Sequence, residues 1–302
     1  MSKTDEHYFH MFANGDDAKN FITTELEFKL AFNRFAVCAH HSGAIVLSFS
    51  VENTHPHALL WGTYGQCTDF KERYESMSIK SIVRRRGSAQ DVCLHCEIYE
   101  ITDEAYLRNV GTYTIVQATK DGKPVMPYDY LYGTGSLYFR DKRAILPWML
   151  DEDGTLCTPV PLNSLPVRVR QQLCGTKMLL PGEWLTCNGF ILPTNYVDIQ
   201  RFENIYRTHN CYRAFLCSKK SQDDAIMKQM SDTRGVVIDD LLARQLCAEA
   251  CQNLFGRTST AHLNIDERLL LAQHLRRTFQ LSYRQVAILV HIPKFELQKY
   301  VK

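Results

Sequence analysis

Residues 44–61 read AIVLSFSVENTHPHALLW, and the way this stretch folds decides the rest of the chain. Ala44 to Val51 is a strongly apolar strand, Glu52-Asn53-Thr54 a tight connection, and His55 to Trp61 the returning strand. Side chains alternate faces along a strand, so His55 and His57 point the same way. Two imidazoles on one face form a clamp suited to a metal ion.

Upstream, His7 to Phe12 reads as a short aromatic strand, and Asn14-Gly15-Asp16-Asp17 as a turn and helix start. A long helix follows, with Ile22, Leu26, Leu30 and Val37 on one stripe, ending at His41-Ser42-Gly43, where glycine suits a C-terminal cap. Downstream, Gln66 to Arg86 predicts a second helix and Val92 to Tyr99 a strand. Thr102-Asp103-Glu104 opens a third helix with an acidic first turn. Tyr106, Val110, Tyr113 and Gln117 fall along one side of it, because residues three and four apart share a face. The order β-α-β-β-α-β-α predicts an α+β fold, a ferredoxin-like antiparallel sheet with helices, over residues 1–140.

From residue 141 to 234 proline and glycine recur and periodicity is weak, which reads as a connecting or elaborating region. Residues 235–302 read as a helical domain, with Leu241, Leu242, Leu246 and Ala250 core-spaced. Asp266 to Phe279 is one helix, Ser282 caps a short helix from Tyr283 to Val290, and His291-Ile292-Pro293 turns the chain into a last helix from Lys294 to Val301. Residues 282–302 therefore predict a helix-turn-helix, whose last, basic helix enters a DNA groove.

Composition bounds the function. The chain has 302 residues and a net charge of only +2, so a nucleic-acid surface must be a local patch. Arg84-Arg85-Arg86, with Lys71, Arg73 and Lys80 nearby, is one such patch. Tyr283, Arg284, Lys294 and Lys299 are the DNA-contact candidates of the helical unit. No signal peptide and no apolar run of membrane-spanning length is legible, which predicts a cytoplasmic, nucleoid-associated protein. Eleven cysteines, an odd number without regular spacing, read as reduced, mostly buried thiols, and Cys93-Leu94-His95-Cys96 as part of a strand.

The chain resembles the single-tyrosine HUH endonucleases, named for a His-hydrophobic-His motif, and within them the REP-associated tyrosine transposases. The likeness covers about residues 7 to 140 and rests on HYFHMFANGDD, SFSVENTHPHALLWG, EAYLRNVGTYTIVQATKDG and PYDYLYGTGSLYF. Two positions depart from the pattern: Pro56 stands between the histidines in place of a branched apolar residue, and Gln117-Ala118 replaces the Asn-Pro of many REP-type members. The resemblance implies that Tyr113 is the nucleophile and that His55, His57 and Gln117 hold Mg²⁺ or Mn²⁺. It implies cleavage and rejoining of single-stranded or hairpin DNA through a 5′-phosphotyrosine, by a monomer or homodimer, with duplex DNA as a further partner of the helix-turn-helix. A replication-initiator or relaxase-like nicking enzyme shares the same residues, and a non-catalytic, domesticated DNA-binding regulator keeps only the helix-turn-helix. No phosphate loop of the GxxxxGK[ST] type is present to suggest a fused helicase.

Overall fold

The structure is a computed structural model that describes residues 5–13, 21–88, 92, 94–120, 126–141, 144–217, 240–257, 259–279, 281, 283–293, 296–297 and 300–301. The chain divides into two compact units, Met1–Gln222 and Asp223–Lys302.

The first unit is mixed α+β. Its leading elements are β1 (His7–Ala13), α1 (Glu25–Ser42), β2 (Ile45–Val51), β3 (Pro56–Gly62), α2 (Tyr64–Arg86), β4 (Cys96–Ile101) and α3 (Glu104–Lys120). The four strands form one antiparallel sheet in the order β2-β3-β1-β4. The β2–β3 hairpin is the one read from residues 44–61, and it sets His57 opposite Ser50 on one side and Phe12 on the other. β3 and β1 are the two interior strands, so whatever they carry is enclosed by neighbours.

Local chemistry sets the helix ends. Thr24 accepts from the Glu27 backbone N–H and starts α1, so Ile22 lies before the helix and Leu26, expected on the core stripe, is exposed. Gly43 ends α1 in the left-handed region at φ 72°, where a side chain would be strained. Thr63 and Gln66 cap α2 reciprocally, which starts that helix two residues ahead of the expected Gln66. β4 begins at Cys96 rather than Val92, because its ladder with β1 runs from Cys96 opposite Ala13 to Ile101 opposite Tyr8.

The two faces of the sheet take different helices. Phe49 and Phe9, on one face, meet Phe35 of α1 and Tyr64 of α2. Ser48, His57 and His10, on the other, meet Thr114 and Tyr113 of α3.

The stretch that read as connecting, over its described residues 144–217, belongs to this first unit. It holds a small sheet of β5 (Val160–Pro161), β6 (Leu185–Cys187) and β7 (Phe190–Ile191), with α4 (Val167–Cys174), α5 (Ile199–Tyr206) and α6 (His209–Cys217). Asn33 of α1 ties it down: its amide donates to the carbonyls of Leu173 and Gly189, and its oxygen accepts from the Ile191 N–H. Tyr206 donates to the Arg108 carbonyl, and Gly111 lets α5 approach α3 so closely that a Cβ there would collide with the Tyr206 hydroxyl. Tyr132, Gly133 and Thr134 pair with the outer edge of β2, and Val197 bridges to Val46, so that edge is covered.

The second unit contains α7 (Asp240–Phe255), α8 (Ile265–Phe279) and α9 (Tyr283–Val290). Its core line on α7 is Ala243, Cys247, Ala250 and Cys251. Leu246, expected in that core, is only half-buried, and the side chains of Leu241 and Leu242 lie outside the described residues. Asn264 and Glu267 cap α8 reciprocally. Leu271, Leu275, Leu281, Val286 and Val290 complete the packing with Leu297 and Val301. Ser282, Lys294 and Lys299 of the expected helix-turn-helix lie outside the described residues. No helix among the described residues is long and apolar enough to cross a membrane.

Candidate active site

Tyr113 comes to the sheet from α3, which lies across the face carrying the histidines. Its ring meets that of His57 edge-on, centres 5.2 Å apart. The ring is buried, 6% exposed, as are the other residues expected on that side of α3: Tyr106, Val110 and Gln117. Gln117 stands one turn beyond Tyr113, and its amide nitrogen is buried with no hydrogen-bond partner among the described residues. Ser48 and Thr114 join hydroxyls at 2.7 Å beneath the same helix, and Thr114 also donates to the Gly111 carbonyl.

His57 is fully buried in β3. His55 precedes the strand and is half-buried, its Nδ1 2.6 Å from the Thr54 hydroxyl. The two rings stand 4.6 Å apart, nearly perpendicular. Pro56 fits here because it is the first residue of its strand, where the missing N–H costs least. Glu52 is 1% exposed and accepts from the Ser50 hydroxyl at 2.7 Å. The structure thus brings His55, His57 and Tyr113 into one cluster, with Gln117 on the same helical face.

One member escaped the sequence reading. His10, at the middle of β1, is fully buried, its ring 5.7 Å from that of His57 and 6.1 Å from that of Tyr113. Burial pushes its imidazole down to about 3, so the ring is neutral near pH 7. Neither ring nitrogen has a hydrogen-bond partner among the described residues. An unmatched buried polar group costs about 1–3 kcal/mol. The available signal was the alternation Tyr8, His10, Phe12 in an aromatic strand, which places a histidine where the neighbours are rings. It was not decisive, because nothing in the sequence says which strand lies beside β1.

The basic candidates fare differently. Arg84 and Arg85 are exposed in the last turn of α2, where positive charge also suits the helix dipole, and Arg85 Nε lies 4.0 Å from the Glu27 carboxylate. Arg86, by contrast, is committed to the fold: it donates to both Glu27 carboxylate oxygens at 2.9 and 2.5 Å, and to Thr23 and the Phe21 carbonyl. Burial pushes the Glu27 carboxyl up, but the bonds from Arg86 and Thr23 outweigh it and hold the group at about 2. Arg73 is paired with Asp69 at 2.6 Å, and Lys71 lies 4.0 Å from Glu75. In the second unit, half-buried Tyr283 donates to the Val301 carbonyl at 2.7 Å and lies under the Arg276 guanidinium. The side chain of Arg284, and all of Lys294 and Lys299, lie outside the described residues.

Among the described residues, no group of three His, Cys, Asp or Glu side chains is arranged to hold a metal ion. A cleft of about 540 Å³ lies apart from the histidine cluster, lined by Tyr8, Leu107, Asp198, Arg201, Asn204 and Ile205. Arg201 stacks its guanidinium 4.5 Å from the Trp61 ring centre beside it. Comparison with known proteins finds no matching family model, no similar curated protein and no similar solved structure.

Proposed function

We propose that this chain is a metal-dependent, single-tyrosine DNA nuclease and strand transferase of the HUH type. Its first unit is read as a ferredoxin-like domain, and its second as a helix-turn-helix carrier. One observation carries the reading: Tyr113 of α3 packs edge-on against His57 of β3, centres 5.2 Å apart, with His55 beyond it. No apolar core calls for that combination, whereas phosphoryl transfer to a tyrosine uses each member.

The donors present fit a divalent ion. Imidazoles and a carboxamide oxygen are neutral nitrogen and oxygen ligands, and His57 and Gln117 are both buried, on the sheet face and the helix that Tyr113 brings together. His55, His57 and Gln117 would hold Mg²⁺ or Mn²⁺, which supplies positive charge against a phosphate. The Tyr113 oxygen attacks phosphorus, a P–O bond to tyrosine forms, and the bond to the 3′-oxygen breaks. The phenolic proton passes to solvent, and the departing 3′-oxygen takes one up. A phosphotyrosine retains the ester's bond energy, so a second 3′-hydroxyl reverses the step and joins strands. Single-stranded or hairpin DNA is the proposed substrate, and exposed Arg84 and Arg85 are the proposed phosphate contacts.

Burial of Tyr113 favours a second reading. A phenol 6% exposed meets a phosphodiester only after its covering residues move, and a regulator that binds DNA without cutting it needs no such movement. The two readings separate on one gel. Labelled hairpin DNA with Mn²⁺ yields a denaturation-resistant adduct with the wild-type chain and none with Tyr113→Phe if the nuclease reading holds. Retarded DNA without any adduct replaces it with the regulator.

A further inference from the structure

Arg201 of α5 is held in one place from two sides. Its guanidinium carbon stands 4.5 Å from the ring centre of Trp61 on β3. Tyr8 lies opposite Trp61 on β1, with the two ring centres 4.7 Å apart. Asp198 fixes the other side: it caps α5 by accepting from the Arg201 backbone N–H at 2.9 Å, and accepts from Arg201 Nε at 3.3 Å. Arg201 and Tyr8 line the cleft of about 540 Å³. That cleft therefore contains a planar cation whose orientation is set before any ligand arrives.

The rest of the lining says what kind of ligand fits. Its charges cancel: Glu104 and Asp198 stand against Arg201 and Arg207, and Glu104 lies 3.8 Å from Arg207. A phosphate seeks surplus positive charge, and this lining has none to spare. Leu107 and Ile205 supply apolar wall. Gln200 and Asn204, four apart on one side of α5 and both exposed, supply amides that donate and accept. A guanidinium platform, apolar walls and amides suit an uncharged planar ring with donors and acceptors on its edge, which is a nucleobase. The position agrees. Trp61 shares the sheet face of His57, about 13 Å away along β3, and Leu107 stands about 9 Å before Tyr113 along α3.

We propose that this cleft seats one unpaired base of the DNA strand cut at Tyr113, stacked on Arg201 and read along its edge by Gln200 and Asn204. This deepens the nuclease reading and rests on it for the identity of the strand. Arg201 then contributes to the choice of cutting site without touching the attacked phosphate.

The test measures binding of the full chain to labelled hairpin DNA with a single-stranded flank, in EDTA so that no strand is cut, while a single abasic site is moved along the flank. At one position the abasic site is expected to weaken binding by wild type at least about fivefold. Arg201→Ala is expected to lose a similar factor on intact DNA and to be indifferent to the abasic site. Arg201→Lys keeps the charge beside Trp61 without the planar fork and is expected to bind no better than Arg201→Ala. Full binding by Arg201→Lys makes the contact one of charge and overturns the base site. If Arg201→Ala does not fold, Arg201→Lys carries the abasic scan. A flat scan in wild type, or an equal abasic penalty in wild type and variant, overturns the proposal. So does a flat scan in which free deoxynucleosides raise the Tm of wild type, because the cleft then takes a free nucleoside and not the strand. Failure of the nuclease reading looks different: the abasic penalty governed by Arg201 persists, but Mn²⁺ yields no adduct at Tyr113.

Discussion

The two faces of one sheet follow opposite rules. On the face toward α1 and α2, Phe49 stacks on Phe35 at 4.1 Å, and Phe9, Met11 and Ala58 fill the rest with carbon. On the face toward α3, buried Phe12 and Leu59 stand beside the buried polar residues His10, His57, Ser48 and Ser50, and α3 itself buries Thr114 and Gln117. Burying carbon stabilises without further conditions, whereas burying polar groups only breaks even when they are paired. The first face therefore explains why the unit folds, and the second carries what folding alone does not require. A buried polar cluster of this kind, half-satisfied, is where function is to be sought.

The largest expected effect belongs to the polar face and concerns chemistry. Tyr113→Phe is expected to abolish covalent DNA adducts while leaving the urea midpoint nearly unchanged; a mutant that still forms adducts breaks the functional half of the comparison. Next comes the apolar face. Phe49→Ala removes a fully buried ring and is expected to cost about 3–5 kcal/mol by urea denaturation. A loss under 1 kcal/mol would mean that this face is not the folding core.

Between these lies the ion pair that ties the start of α1 to the end of α2. Glu27 sits at about 2 in the fold against 4.5 as its ordinary value. Its folded value is depressed, so its contribution is complete above about pH 4.5 and is lost as pH falls toward 2, on the order of 2–3 kcal/mol in all. Glu27→Gln should flatten stability against pH over that window, and an unchanged slope would remove the pair from the account. The smallest effect sharpens the polar face. Thr114→Val leaves the Ser48 hydroxyl without its 2.7 Å partner and should cost about 1–3 kcal/mol, whereas the double change with Ser48→Ala should cost less than the single one. A double mutant as unstable as the sum of the singles would deny the coupling.

Much of this was legible from residue patterns. The hairpin at 44–61 is read directly from two apolar runs around Glu52-Asn53-Thr54, and α3's buried side from the spacing of Tyr106, Val110, Tyr113 and Gln117. Errors came where an end or a stripe depends on a single side-chain bond. The Thr24 cap leaves Leu26 in solvent and Ile22 ahead of the helix.

By itself, then, the sequence determined the alternation of strands and helices, the β2–β3 hairpin, and the shared side of Tyr113 and Gln117. All of these follow from local periods of two and 3.6 residues. Only the tertiary structure decided that β1 lies beside β3, that His10 thereby meets His57 and Tyr113, that residues 132–134 and Val197 cover the outer edge of β2, and that residues 144–217 belong to the first unit. Those facts depend on strand order and on contacts between residues far apart in the chain, and no local period encodes them.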